Sequence, residues 1–191
     1  MSTSRIILAS QSPRRRQFLA EAGYCYEVRP PSDEAERAET PAMPAPELVQ
    51  ELALRKAGDV AAKLDRALVI GCDTVAEVHG RVLGKPADRE DARDMLSLLR
   101  GQEHRVFSGL CLWERPSDRH AVQVATTVLY MAPLSDREID QYLDSGAWQG
   151  KAGAFGYQDR PGWLRVVSGS ESNVVGLPLE LLADMLKEFE R

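Results

Sequence analysis

The six residues Ala67–Cys72, Ala-Leu-Val-Ile-Gly-Cys, constrain the fold of this chain more than any other stretch. A strand with one face in water alternates apolar and polar residues; this run does not alternate, so it fits a central strand covered on both sides. Helices supply such a cover, and short apolar runs do alternate with amphipathic segments along the chain, which predicts an α/β fold. With 191 residues, 43% of them hydrophobic, there is material for one sizeable core, and a single domain spanning 1–191 is expected.

Taken in order, a strand at Arg5–Ala9 hands over to a helix with Ser12 as N-cap and Pro13 as its first residue, stopped at Gly23. Tyr24–Val28 alternates as a strand. The acidic, proline-punctuated stretch Ser32–Pro46 reads as an exposed loop, a mobile flap. Val49, Leu52, Ala53, Ala57, Val60, Ala61 and Leu64 mark one face of a helix over Glu47–Leu64. The central strand ends at Asp73. A hairpin then turns at His79-Gly80 between Val75–Val78 and Arg81–Leu83 and delivers Gly84-Lys85-Pro86 back toward Asp73. A helix follows from the N-cap Asp88 to Arg100. Arg105–Trp113 and His120–Met131 read as antiparallel neighbours, and Ser135 with Glu138 forms a capping box that opens another helix. Trp163–Val167 is a further strand, Asn173–Pro178 a turn, and Leu179–Phe189 a final helix that only packs.

Charge and cysteine usage narrow the function. A formal charge of −5 argues against a general nucleic-acid-binding face. Three scattered cysteines suit a reducing compartment, and no apolar run reaches the length of a membrane span, so a soluble, cytoplasmic protein is expected. Gly80 to Lys85 lacks the spacing and the hydroxyl of a P-loop, no Gly-x-Gly-x-x-Gly follows a strand, the histidines have no zinc spacing, and there is no Gly-x-Ser-x-Gly elbow.

Several residues could instead carry chemistry at the ends of segments. Ser10, Ser12, the free amides of a first helical turn and the Arg14-Arg15 pair form an anion site where a strand meets a helix, although a well-capped helix with a solvated basic face fits that segment equally. Lys56 lies inside the apolar stripe of its helix: it either snorkels out from the core edge or points its ammonium into a cleft. Asp73, with Thr74 beside it, stands where open α/β sheets place ligands and metals. Gly150-Lys151-Ala-Gly-Ala-Phe-Gly-Tyr-Gln158 brings three glycines and a cation together, as a ligand-approaching loop or an ordinary connection. Arg14, Lys56, Lys85 and Lys151 together with Glu34 and Asp73 match a polyphosphate and a hard divalent metal, and the bond to be cleaved is a phosphoanhydride.

The motifs Leu-Ala-Ser10-Gln-Ser12-Pro-Arg14-Arg15, Asp33-Glu34, Leu-Ala-Leu-Arg-Lys56-Ala, Gly-Cys-Asp73-Thr74-Val, Gly-Lys85-Pro, Gly-Gln-x-His104-x-Val and Gly-Lys151-Ala-Gly-Ala-Phe-Gly-Tyr-Gln158 follow one another in an order that resembles the Maf family of nucleoside triphosphate pyrophosphatases over nearly the full length. The resemblance implies an elongated α/β fold, Maf/ITPase-like, around a mixed, curved sheet with a cleft between two lobes, and often a homodimer. It implies hydrolysis between the α- and β-phosphates with Mg²⁺ or Mn²⁺, a house-cleaning of the nucleotide pool. Under it Asp73 is the proton acceptor and, with Glu34, a metal ligand; Ser10, Arg14, Lys56 and Lys85 bind phosphate; and Arg14, Thr74 and Gln158 set base preference, while Ser12, Arg15 and Lys151 remain substrate-binding candidates from the segments read above. Gln158 resembles the dTTP/UTP subgroup, whereas the branch acting on 7-methyl-GTP typically carries Glu there. Phe155-Gly-Tyr157 and Glu171-Ser172 depart from that subgroup's usual residues and bear on base preference. The competing expectation is a non-catalytic nucleotide-binding regulator of septum formation.

Overall fold

The computed structural model describes residues 5–37, 42–159 and 162–189. Strands β1 (Ile6–Ala9), β2 (Tyr26–Val28), β3 (Ala67–Val78), β4 (Arg81–Leu83), β5 (Glu103–Arg115), β6 (His120–Met131) and β7 (Leu164–Ser168) form one mixed sheet in the order β2-β1-β3-β5-β6-β7, with β4 beside the second half of β3. β1 runs parallel to β2 and β3; the remaining pairs are antiparallel. Helices α1 (Pro13–Glu21), α2 (Asp33–Arg37), α3 (Ala45–Ala61), α4 (Arg89–Leu99), α5 (Asp136–Asp144), α6 (Glu171–Val175) and α7 (Leu179–Phe189) flank it.

The central run is buried along its whole length, and the strand period divides it between two layers. Val69 and Cys111 pack under Ala53, Ala57 and Val60 of α3. Ile70, Leu110 and Leu112 face the other way, toward Leu19 of α1 and Leu182 and Met185 of α7. At the far end, Ala76, Leu96, Leu99, Leu129, Ile139 and Tyr142 make a separate core under α4 and α5. The mixed α/β fold is therefore the expected one, its parallel part being β2, β1 and β3 at one side of the sheet.

Local signals set most boundaries. Ser12 caps α1, Asp88 caps α4 through the amides of Glu90 and Asp91, and Ser135 with Glu138 closes the capping box of α5. His79 and Gly80 both take positive φ, 52° and 78°, the signature of a tight hairpin between β3 and β4.

Three expectations are corrected. The central strand does not end at Asp73: β5 pairs with β3 without interruption from Ala67 to Glu77, so the ladder carries β3 straight through. Within Ser32–Pro46, where an exposed loop is expected, Asp33–Arg37 is a short helix; Ser32 caps it by accepting from the Ala35 amide and is itself held by Asp59, and Ala35 is buried. Positions 38–41 of that stretch lie outside the described residues. The Asn173–Pro178 turn begins inside α6, which Ser170 caps and Gly176 ends with a left-handed φ of 109°.

Candidate active site

β1 accompanies β3 only as far as Ala9 opposite Gly71, and β4 takes over with Leu83 opposite Ala76. Residues 72–75 of β3 pass between them. The chain leaving β1, the start of α1 and the chain leaving β4 all meet at this parting, the kind of place where open sheets bind ligands. A cavity of 740 Å³ lies there, lined by Ser10, Ser12, Arg14, Arg15, Asp33, Glu36, Lys56, Asp73, Thr74, Lys85 and Lys151 among others. Asp73 and Lys85, twelve positions apart in the chain, thus open onto one space.

Lys56 resolves the choice left by its sequence. It is 6% exposed, and its Nζ lies 2.7 Å from Asp73 Oδ1 and 2.9 Å from Glu36 Oε2. The ammonium does not snorkel; α3 sends it across the sheet face to bridge two carboxylates. A buried ammonium is tolerable only when it pairs in this way, here with two partly exposed carboxylates.

The two neighbouring arginines divide their work. Arg15 spends its guanidinium on the protein, donating to Gly176 O at 2.7 Å, Ser10 Oγ at 3.1 Å and Thr74 Oγ1 at 3.2 Å. It ties the end of β1, the middle of β3 and the α6–α7 turn into one frame. The Thr74 hydroxyl also meets Ser108 Oγ at 2.7 Å. Arg14 lines the cavity and makes no hydrogen bond or ion pair among the described residues, so its charge remains available.

On the opposite wall Lys151 is paired with Asp159, whose Oδ2 also accepts from the Tyr142 hydroxyl at 2.6 Å and the Gly156 amide at 3.0 Å. Burial and then this carboxylate push the Tyr142 hydroxyl far above its ordinary pKa. A Cβ on Gly156 would crowd the Asp159 carboxylate and push it from these partners. Phe155 and Trp163 stack at 5.4 Å beside them.

Two expected site residues lie elsewhere. Glu34 is exposed and lines a second depression with Arg55 and Asp59; Asp33 and Glu36 of the same short helix face the cavity instead. Gln158 is exposed and is not among the cavity-lining residues. The two departures from the family pattern meet each other, the Tyr157 hydroxyl donating to Glu171 Oε1 at 2.7 Å. Glu36 and Asp159 were not singled out in the sequence. An Asp-x-x-Glu spacing on one helical face is the signal that could have found Glu36; nothing local marks Asp159.

His104 also lines the cavity, 5% exposed, and its Nδ1 has no hydrogen-bond partner among the described residues. Burial, opposed more weakly by the Gln102 main chain, lowers its pKa to about 4, so the ring is neutral at pH 7. Such an orphaned buried group costs about 1–3 kcal/mol.

Fold and cavity together define an α/β protein with a pocket lined by cations and carboxylates where two strands part. The model of the Maf-like protein family matches residues 5–189, and the chain belongs to that family. It is 52% identical over 187 residues to a dTTP/UTP pyrophosphatase of Rhodopirellula baltica, covering 97% of this chain and 82% of the relative. A dTTP/UTP pyrophosphatase of Pelotomaculum thermopropionicum is 43% identical over 187 residues, covering 96% of each chain. Among solved structures, a HAM1 protein from Coxiella burnetii is 17% identical with a TM-score of 0.48, covering 97% of this chain and 100% of that one. Among the described residues no helix is long and apolar enough to cross a membrane.

Proposed function

We propose that this protein hydrolyses nucleoside triphosphates, dTTP and UTP foremost, at the α–β phosphoanhydride, releasing the nucleoside monophosphate and pyrophosphate, and so clears the cytoplasmic nucleotide pool. One observation carries the reading: the carboxylate of Asp73 is fixed by Lys56 at the centre of a cavity whose other walls present Arg14, Lys85 and Lys151. The relatives' activity supports the same reaction.

Arg14 and Lys85 reach the phosphate oxygens as free charges, and the amides at the start of α1, beside Ser10 and Ser12, take a further oxygen. Lys151 joins them from the loop, held by Asp159. Asp73 accepts the proton of the attacking water, and Lys56 keeps its carboxylate oriented toward the α-phosphorus. Arg15 acts behind the substrate by holding Ser10 and Thr74 in place.

No group of three or more metal-ligating side chains gathers among the described residues. A hard divalent ion bound with a polyphosphate needs only one or two protein carboxylates, and Asp73 and Glu36, already converging on Lys56, fit that requirement, with Asp33 on the same wall. Glu36 is thus better placed for this than Glu34. When bound, Mg²⁺ or Mn²⁺ supplies charge neutralisation of the phosphate oxygens and a more acidic water.

The test is product analysis of a panel of nucleoside triphosphates with each metal. Pyrophosphate and monophosphate in equal amounts from dTTP and UTP are expected; intact nucleotides throughout, or release of orthophosphate alone, would contradict the reading.

A further inference from the structure

We propose that His104 hydrogen-bonds the nucleobase and is a specificity-determining residue of this cavity; the proposal rests on the pyrophosphatase reading above. The cavity has two chemical ends. Around Asp73 its wall is charged, whereas further along the sheet it is formed by Ala76, Leu99, Leu129, Met131 and Phe155, with His104 set among them. A flat heteroaromatic ring needs this combination of apolar faces with a few polar groups at its edge.

Packing alone does not call for histidine at this position. Its register partner on β6 is Leu129, and Val106, next on the same face of β5, is also buried. A leucine would fill such a site without leaving a nitrogen unpaired. His104 instead keeps a ring that is 5% exposed, with Nδ1 unclaimed by any described residue. The Gln102 main chain, which raises the ring's pKa against burial, favours a proton on the ring nitrogen that faces it and so biases the tautomer. The other nitrogen of the neutral ring is then an acceptor, and uracil and thymine offer it one N–H flanked by two carbonyls.

The alternatives within the site are weaker. The Thr74 hydroxyl is already engaged by Arg15 and Ser108, and Gln158 stands outside the wall.

The experiment compares wild-type and His104→Phe enzymes for kcat/KM on dTTP, UTP, dCTP and dGTP, for competitive inhibition by inorganic tripolyphosphate, and for thermal unfolding. Tripolyphosphate has no base and reports only the charged end. The expected result is a fall of about tenfold or more in kcat/KM for dTTP and UTP and a narrowed spread among bases, with the tripolyphosphate inhibition constant within about twofold of wild type. His104→Gln, which retains a donor and an acceptor, should recover part of the spread. Unchanged base ranking in the folded Phe variant overturns the proposal, and so does a parallel loss of tripolyphosphate binding, which marks a structural role. Should the Phe variant not fold, the wild-type enzyme assayed with N3-methyl-UTP decides: turnover equal to that of UTP overturns the proposal, and a loss of about tenfold supports it. A wild-type enzyme that cleaves no nucleotide sinks the underlying pyrophosphatase reading instead, so the two failures are distinct.

Discussion

An ammonium reduced to 6% exposure needs anions in place of the water it has lost, and Lys56 finds two, one on β3 and one on α2. Lys56→Met leaves Asp73 and Glu36 facing each other without their shared cation. The expected cost is about 3 kcal/mol by urea denaturation, along with activity; a loss under about 1 kcal/mol, the level of an exposed pair, would show that the bridge is loose. Asp73→Asn is a different kind of change, since the amide keeps an acceptor for Lys56 but cannot take a proton from water. Turnover should fall about 10²–10⁴-fold while triphosphate affinity changes little, and undiminished kcat would remove Asp73 from the role of base. His104 adds a pH dependence. Its ordinary pKa is 6.5 and the folded value is about 4. As the pH falls through 6.5 the unfolded chain takes up a proton that the native chain refuses until about pH 4. Stability from this group is therefore complete above 6.5 and declines across the interval by about 3 kcal/mol. Denaturation at pH 7 and pH 5 should show a smaller acid loss for His104→Phe than for wild type.

The element that places Lys56 is α3, and α3 can reach the sheet only because two glycines lie beneath it. A Cβ on Gly71 would strike the backbone oxygen of Ala53, and one on Gly109 that of Val49. The two glycines lie diagonally across β3 and β5, Gly71 opposite Cys111 and Gly109 opposite Asp73. Gly109→Ala should lift the N-terminal half of α3, cost about 1–3 kcal/mol by overpacking, and lower kcat/KM because Lys56 moves with its helix. A folded variant with wild-type kcat/KM would mean that Lys56 reaches Asp73 without this close approach. Element boundaries were readable where the signal is local, as with Ser12-Pro13, Asp88 and the Ser135–Glu138 box. They are not readable where a short cap sits inside a stretch of unhelical composition: Ser32 before α2, among acids and prolines, and Ser170 before α6, in a short run between Gly169 and Gly176. A carboxylate in a central strand is unusual, which makes Asp73 look like the end of β3; the pairing that carries the strand onward, from Thr74 opposite Ser108 to Glu77 opposite Arg105, joins residues distant in sequence.

At the scale of the whole molecule, the site exists because β1 and β4 share one edge of β3 without meeting. Chain order hides this parting, although its two flanks, Ser10 and Lys85, were visible as segment ends. The α/β class followed from the two-sided burial of Ala67–Cys72, a property of composition alone. The cavity wall was less legible. Glu36 and Asp159 matter through partners distant in sequence, Lys56 and Tyr142; the Asp33-x-x-Glu36 spacing hints at the first, and nothing local marks the second. Gln158 carries a motif position yet stays outside the wall, which shows that motif membership and exposure are separate facts. In the proposed reading a triphosphate lies with its innermost phosphorus beside Asp73 and its base toward the apolar far end of the cavity. The most direct measurement is hydrolysis of dTTP in ¹⁸O-enriched water followed by mass spectrometry of both products. Attack at the α-phosphorus puts the label in the monophosphate and leaves pyrophosphate unlabelled; label in the pyrophosphate, with an unlabelled monophosphate, would contradict it.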